Sequence, residues 1–555
     1  MKIRYIIYNI ILATVLMLVP GCSLTDLNIN EDPNNPSTAA SNLLLSNIEV
    51  NLMSNFAGNE GDAAAFMGLM GTQGLSRYDL SNGSYSGFWD NMYRGPLKDL
   101  EGLIASSQES PHYLAVAQTL KALSYAALVD FWGDLPYTEA GKGDAIDKVI
   151  NPVFDKDADI YANCLKLIDE AIANFAKPSG VKVDGDLIYA GDITKWTKAA
   201  KTIKLKMLMT ARKGVPSAEA TIKSMIAAGG LISTAAEDFK FTFSKDPTST
   251  RHPYYTGAYT GGEFDYTYFS NELMVESLVE EDPRWPFIFR RQTSTILDSN
   301  DPTQFNTQPC SGGGACVYGY VVNNANVIKR LYTDKGLTFG AAEKTFLAGV
   351  FGRDRGDADG LPADGALRTI PGVYPAGGFY DVAKAALPSA NSAPGGGIFP
   401  FITGVNTSYY IIEAILDMGA PGDAKAEFEK AIRGHIQRVV DFGVATDANS
   451  VRPSTEAVTK YVNLWLGKFD EATSNQAKLN VAMKQLWYSS VGSGYEIYNA
   501  YRRTGLPTNI QEHIDGTLRG FPLRVPYPQG ELTLNPNAVS YKEVAFDVVP
   551  IFWDK

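Results

Sequence analysis

Apolar residues recur every three or four positions along many stretches of this chain of 555 residues. In residues 116–131, 160–175 and 196–207 they fall on one face of a helix, which is typical of helices that bury one side against a core. The same spacing returns further along the chain, in Ile411–Met418, Phe428–Val440, Val458–Phe469 and Gln476–Tyr501. The spacing therefore predicts a helical scaffold over about residues 38–235 and 405–510.

The stretch between these two helical parts, about residues 236–404, has a different character. Gly, Pro, Asn and Tyr are common there, and helical spacing is confined to short pieces. Long loops of this kind in a packed protein are usually functional. The tail segment 524–528 reads Arg-Val-Pro-Tyr-Pro and cannot be helical, because proline lacks the backbone donor. We therefore predict a mainly α fold, one domain over residues 38–555, in which paired helices surround a large loop-rich insertion.

The N-terminus carries an export signal. Lys2 and Arg4 precede a short apolar run, which is the pattern of a removed targeting segment and not of a membrane span. The run ends in Val-Pro-Gly-Cys, which resembles a bacterial lipobox, and the resemblance implies cleavage after residues 1–21 and lipidation of Cys22. Ordinary secretion with cleavage nearby is the alternative. Residues 22–37 contain few apolar residues and several Asn and Pro, so they predict a tether.

The charge balance limits the possible partners. The formal net charge is −12, and removal of the signal peptide lowers it to about −14 because that segment contains two cations and no acids. A surface of this sign does not attract phosphate backbones, so nucleic acid is not expected as a partner. No second apolar run reaches about 18 residues, so the lipid anchor is the only membrane contact that we predict. The 55 Tyr and Phe residues against 4 His suit contact surfaces better than acid–base catalysis.

Three cysteines follow Cys22. Cys164 falls on the apolar stripe of a predicted helix and is interpreted as a small buried hydrophobe. Cys310 and Cys316 flank a Gly-rich loop, so we predict a local disulfide in an oxidising compartment, with two free thiols as the alternative. Closing so short a loop would stabilise the fold by only about 2 kcal/mol. Without neighbouring His or Cys, the pair cannot complete a tetrahedral metal shell.

Residues 353–360 offer a weak metal candidate. Asp357 and Asp359 are spaced as in a calcium loop, but Arg355 stands where the first acidic ligand is needed. The favoured interpretation is a solvated surface loop whose charges pair with one another. We predict no metal and no cofactor.

A series of short motifs resembles one known family. The motifs are Asp130–Ala140 (DFWGDLPYTEA), Asp186–Trp196 (DLIYAGDITKW), Asp282–Arg284 (DPR), Glu496–Pro507 (EIYNAYRRTGLP) and Arg524–Pro528 (RVPYP). In order and placement they are similar to those of the SusD/RagB family of surface lipoproteins from Bacteroidetes. The resemblance covers nearly the whole mature chain, and its specificity lies in the series.

The resemblance implies a scaffold of four degenerate tetratricopeptide-like helix pairs and a variable, loop-rich half that carries the ligand contacts. It also implies an outer-membrane, cell-surface location, a TonB-dependent transporter as partner, and no enzymatic activity. Glycans are the implied ligands, with peptides as the alternative. The motifs themselves have structural explanations: Gly133 supplies a left-handed helix cap, and Arg502 and Arg503 bind carboxylates near a helix end. The substrate does not follow from scaffold motifs.

Sugar recognition needs flat aromatic faces with polar groups beside them. The densest candidate is a Gly-rich segment that carries Tyr254, Tyr255, Tyr259, Tyr266 and Tyr268. We predict that these rings form the principal stacking surface for the ligand. The alternative is a packed segment whose rings point into the core.

Two further clusters are candidates for ligand contacts. One is Tyr374, Phe379 and Tyr380 around a Pro-Ala-Gly-Gly turn, and the other is Arg77, Tyr78 and Asp79. For both, ordinary packing contacts are the alternative. Trp89 and Tyr93, four residues apart on a predicted helix, are interpreted as core.

Searches for catalytic motifs find nothing. The chain lacks a Gly-x-Ser-x-Gly elbow, a His-Glu-x-x-His pair and a phosphate-binding loop, and its four histidines are isolated in sequence. Carboxylate pairs of glycoside hydrolases have no fixed spacing, so an exported glycan hydrolase is a less favoured alternative. A third possibility is a purely structural partner of the transporter. We predict a surface lipoprotein that binds oligosaccharides and passes them to a transporter.

Overall fold

A computed structural model describes most of the chain. The described residues are 40–71, 78–144, 148–247, 250–260, 268–292, 349–350, 352–353, 355–356, 369–382, 393–513 and 519–554. Several predicted features lie outside them, namely the signal peptide and tether, Cys22, Arg77, Tyr266, the Cys310–Cys316 disulfide, Asp357 and Asp359. For these the predictions stand as made.

The N-terminal half is helical, as predicted. Its helices are α1 (Ser41–Phe66), α2 (Ser86–Arg94), α3 (Pro96–Ser106), α4 (Pro111–Trp132), α5 (Asp157–Phe175), α6 (Ile193–Ala211) and α7 (Ala218–Ala228). Helices that follow one another from α3 to α7 pack against each other, as expected when each buries one apolar stripe. The stripe of α5 includes Ile160, Cys164 and Ile168, all fully buried. Burial raises the pKa of the Cys164 thiol to about 12, which fits the predicted role as a small hydrophobe.

The C-terminal half returns to helices. They are α11 (Gly404–Met418), α12 (Ala424–Thr446), α13 (Thr455–Glu471), α14 (Asn475–Ser489), α15 (Gly494–Thr504) and α16 (Gln529–Leu534). The prediction of one helix over Gln476–Tyr501 is wrong, because the chain turns at residues 490–493 between α14 and α15. Gly492 has φ 81° there, a conformation that side-chain-bearing residues rarely adopt.

In the described residues of the insertion between the two halves, the helices and strands are short. Its helices are α8 (Pro253–Tyr259), α9 (Asn271–Val279) and α10 (Trp285–Ile288). Three antiparallel strand pairs accompany them: β1 (Met70–Gly71) with β3 (Tyr268–Phe269), β2 (Phe239–Thr242) with β6 (Ile398–Ile402), and β4 (Phe289–Arg290) with β5 (Ile370–Pro371). The β1–β3 pair joins the insertion to the segment that follows α1.

One apolar core connects all three parts. Phe56 of α1 packs on Phe401 of β6, with ring centroids 4.9 Å apart, and on Tyr495 of α15 at 5.8 Å. The indole of Trp487 donates to the Met67 carbonyl at 2.8 Å, so α14 is also held to the end of α1. A mainly α, tetratricopeptide-like scaffold with a loop-rich insertion is therefore confirmed.

One helix of the described chain is long and apolar enough to cross a membrane by length and composition. It is Pro111–Trp132, and 83% of its most apolar window is buried inside the protein. Burial of this kind is typical of a core helix in a soluble fold, so length and hydropathy are weak evidence for a span.

The motif around Asp186 builds a tight turn. Its carboxylate accepts hydrogen bonds from the backbone of Ile188, Tyr189 and Gly191 and from the Trp196 indole, at 2.7 to 3.1 Å. A carboxylate with so many donors is well compensated for burial. The motif therefore orders the entry to α6.

The arginine motifs are structural, as predicted, with one difference. Arg503 binds both Glu413 carboxylate oxygens at 2.9 to 3.2 Å, whereas Arg502 binds the Asn499 amide and the Leu523 carbonyl. Gly133 follows α4 with φ 82° and ψ −119°. Its positive φ is as predicted, but its ψ lies outside the left-handed helical region. A side chain there would collide with Arg524.

Candidate ligand-binding site

The predicted tyrosine cluster does not form an exposed surface. Tyr255 and Tyr259 lie on α8 and Tyr268 on β3, and all three are fully buried. The expectation of exposed rings is therefore wrong for these residues.

The packing of α8 explains this burial. The rings of Tyr255 and Tyr259 stack at 5.2 Å, and the Tyr259 hydroxyl donates to the Pro371 carbonyl at 2.6 Å. Phe379 packs edge-on against Tyr259 at 5.7 Å. The Tyr268 ring lies 4.4 Å from the guanidinium carbon of Arg353, itself buried. The aromatic density in this segment therefore builds a satellite core within the insertion.

Tyr254 is half-buried, and its hydroxyl donates to Glu60. The second carboxylate oxygen of Glu60 accepts from the Gly494 amide at 2.8 Å, at the start of α15. Burial raises the pKa of Glu60 to about 7, although both hydrogen bonds oppose the rise. One carboxyl thus joins α1, α8 and α15.

The second predicted cluster is also mostly interior. Tyr374 is 3% exposed and packs on Phe442 at 5.8 Å. Phe379 and Tyr380 are half-buried, and the Tyr380 ring packs on Phe287 at 4.9 Å. Only parts of the Phe379 and Tyr380 rings are left to meet a ligand.

The third cluster leads to a cavity. Tyr78 is 5% exposed, and one side of it lines a cavity of about 450 Å³. Its neighbour Asp79 is exposed and does not line the cavity. This volume falls within the range typical of small-molecule sites.

Aromatic rings form much of the cavity wall, and most of them come from far along the chain. Tyr78 packs on His513 at 4.8 Å and on Phe521 at 6.0 Å, and Tyr501 packs on Phe521 at 4.8 Å. Tyr501, His513 and Phe521 are each half-buried, so parts of their rings face solvent. Polar and apolar side chains complete the lining, among them Arg355, Thr508, Ile510, Glu512 and Arg519. Flat apolar faces beside polar groups are what sugar recognition requires.

Arg355 fixes Tyr78 in place. Its guanidinium donates to the Tyr78 hydroxyl at 2.8 Å, to the Phe66 carbonyl at 3.0 Å and to the Gln511 carbonyl at 3.1 Å. Burial raises the pKa of Tyr78, and the Arg355 charge opposes that rise. Tyr78 has φ 55°, an unfavourable backbone region for a bulky residue, so these contacts maintain a strained position. Arg355 is thus packed and bonded, which corrects the expectation of a solvated, self-paired loop at this residue.

A cluster of buried charges binds the backbone of residues 509 and 511, which lie in the segment that lines the cavity. Lys484 of α14 contacts Glu272 at 2.6 Å and Glu276 at 3.0 Å, both on α9. Lys484 also donates to the Asn509 carbonyl at 3.0 Å, and Glu272 accepts from the Gln511 amide at 2.8 Å. Burial disfavours the lysine charge, but the two carboxylates outweigh that effect and raise the pKa of Lys484. The cluster holds the segment that carries the cavity lining.

The described residues contain a second, smaller cavity of about 220 Å³ between α5, α6 and α7. Its lining includes Lys201, Lys204 and Met225 and no aromatic ring. Within the described part of the chain, no group of three or more His, Cys, Asp or Glu residues is arranged to hold a metal ion. The cavity beside Tyr78 is the better candidate for a saccharide.

Sequence reasoning found Tyr78 but missed its partners. Tyr501 belongs to a motif that we interpreted as structural, and His513, Arg519 and Phe521 lie in a segment without aromatic density. No local sequence signal marks these residues, because their exposure depends on the fold.

Comparison with known proteins identifies the class. A family model described as "Starch-binding associating with outer membrane" matches residues 33–347. The chain belongs to this SusD-like family, as the motifs predicted. A search of curated protein sequences found no match.

Solved structures share the fold along almost the whole chain. A SusD homolog from Bacteroides fragilis has 19% identity and a TM-score of 0.66, with 93% of this chain and 100% of that chain covered. A putative outer membrane protein from Bacteroides vulgatus, described as probably involved in nutrient binding, has 18% identity and a TM-score of 0.64, with 93% and 99% covered. A chitin-binding SusD homolog from Flavobacterium johnsoniae has 16% identity and a TM-score of 0.58, with 93% and 98% covered. At these identities the likeness shows the fold.

Proposed function

We propose that this protein is an outer-membrane lipoprotein that binds glycans at the cell surface and delivers them to a partner TonB-dependent transporter. The observation that carries the proposal is the aromatic cavity beside Tyr78. It lies in a chain whose family is described as starch-binding, and one relative of the same fold is described as chitin-binding. Both descriptions support a saccharide over a peptide.

The chemistry of the cavity supports a binding role without catalysis. The partly exposed rings of Tyr501 and Phe521 offer apolar faces to the C–H side of a sugar, while Thr508, Glu512 and Arg519 offer groups for its hydroxyls. Incubation with the bound glycan should release no shorter product. Release of such products would favour the hydrolase alternative.

Glycan-array binding with the purified full-length protein tests the site. Tyr501→Ala should weaken binding by about 1–3 kcal/mol, because it removes a stacking face, and the melting temperature should change little. Tyr380→Ala is the matched variant, since this half-buried tyrosine belongs to the second predicted cluster. Loss of binding in Tyr380→Ala but not in Tyr501→Ala would move the site to residues 374–381. Binding of peptides alone would refute the glycan proposal.

The anchor and the partner need separate tests. Cys22→Ala should move the protein from the membrane to the soluble fraction, because a lipid on this residue is the proposed attachment. Extraction in mild detergent should recover a large β-barrel together with the wild-type protein. Unchanged membrane association of Cys22→Ala would contradict the proposed lipid anchor. Repeated recovery of the wild-type chain alone would contradict the proposed transporter partner.

A further inference from the structure

The described lining of the cavity beside Tyr78 has more cationic than anionic side chains, in a protein with a formal net charge of −12. Two arginines, Arg355 and Arg519, line the cavity, and Glu512 is the one carboxylate among the described lining residues. Most arginines in the described chain have a carboxylate oxygen within 4.0 Å. In the part of the chain that the structure describes, neither cavity arginine has one.

Among the described residues, the contacts of the two arginines include no carboxylate. Arg355 donates to a hydroxyl and to carbonyls only, and these neutral acceptors do not cancel its charge. The guanidinium of Arg519 lies 5.2 Å from the Phe546 ring, and the side chain is exposed. Asp79 follows the cavity residue Tyr78 in the sequence, and Asp547 accepts from the backbone amide of Gly520, next to Arg519, at 3.0 Å. Neither carboxylate lines the cavity.

Guanidinium groups bind carboxylates and sulfates through two parallel hydrogen bonds, and a concave site concentrates the field of its charges. We infer that the cavity selects saccharides that carry an anionic group, such as a uronic acid or a sulfated sugar. Arg519 is the residue that contacts this group, while the Tyr501 and Phe521 rings stack on the sugar. The inference rests on the proposed function and specifies its ligand class.

Paired oligosaccharides test the inference with the purified full-length protein. Each pair has one backbone, and its members differ in one group: uronic acid against its methyl ester, or sulfated sugar against the desulfated form. We expect the anionic member to bind about tenfold tighter in at least one of the two kinds of pair. The kind of pair that shows this difference tells whether the recognised group is a carboxylate or a sulfate. Raising the salt concentration from 50 to 500 mM should reduce the difference, because the attraction is screened.

Two variants locate the effect. Arg519→Gln should bring the affinity ratio of the pair close to one, whereas Arg433→Gln, which changes an α12 arginine outside the cavity, should leave the ratio unchanged. Arg519 is exposed, so we expect its variant to fold. Equal affinity for both members of every pair would overturn the inference, and so would an unchanged affinity ratio in Arg519→Gln. In either case, binding of neutral glycans would still support the proposed function. Failure of every glycan to bind would instead reject the proposed function.

Discussion

Two aromatic-rich regions of this protein differ in exposure. The tyrosines of α8 and β3 are close together in sequence and packed inside the insertion. The rings around the Tyr78 cavity come from residues 78, 501, 513 and 521, and three of the four are partly exposed. The density of aromatic residues along the chain therefore does not predict their exposure, because large rings that are close in sequence can pack against one another in the core.

The two regions are also held in different ways. The α8 cluster depends on apolar packing and on hydroxyl contacts such as that of Tyr259 with Pro371. The cavity wall depends on charges, since Lys484 and Glu272 together bind the backbone of residues 509 and 511. Substitutions in the two regions should therefore have different effects on stability and on glycan binding.

The largest effect is expected from Lys484→Ala. The variant leaves the buried Glu272 and the partly buried Glu276 without the lysine charge, which should cost about 3–5 kcal/mol of unfolding free energy. Chemical denaturation measures the change. Lys425→Ala is the control, because Lys425 and Asp470 form an exposed ion pair whose loss should cost less than about 1 kcal/mol. Equal small losses in both variants would show that the cavity wall does not depend on the buried charges.

A smaller loss is expected from Tyr259→Ala, at about 3 kcal/mol, because a fully buried ring is removed and a cavity is left. Glycan affinity per folded molecule should not change. Tyr501→Ala is the matched variant and should show the reverse pattern, with weaker binding and near-normal stability. If Tyr259→Ala melts normally and loses glycan affinity, the result would support the sequence-based prediction that this tyrosine cluster contacts the ligand, and it would contradict the structural role inferred from burial.

The smallest effect is a pH dependence at Glu60, which holds Tyr254. Burial places its folded pKa at about 7, above the ordinary value of 4.5. The folded state therefore keeps a proton that the unfolded state releases, so this contribution to stability is complete below about pH 4.5 and is lost as the pH rises through 7. Between pH 5 and pH 8 the wild type should lose roughly 1–3 kcal/mol relative to Glu60→Gln. Denaturation curves at several pH values measure this difference, and parallel behaviour of the two proteins would exclude the raised pKa.

The helices were predictable because their signal is local. Periodic apolar residues at 116–131 and 160–175 correspond to α4 and α5, since one buried face repeats every turn. The break between α14 and α15 was missed because apolar spacing continues through residues 490–493. The motif series was sufficient for the family, because it reflects the turns and buried pairs of the scaffold.

The site was not predictable in the same way. Tyr78 and Tyr501 are more than 400 residues apart in sequence, and no local pattern links them. Both rings pack on Phe521, and Arg355 from the insertion binds Tyr78 and Gln511 together. Local spacing decides which face of an element is apolar, but whether a ring ends in the core or beside a cavity depends on which distant segments pack against it.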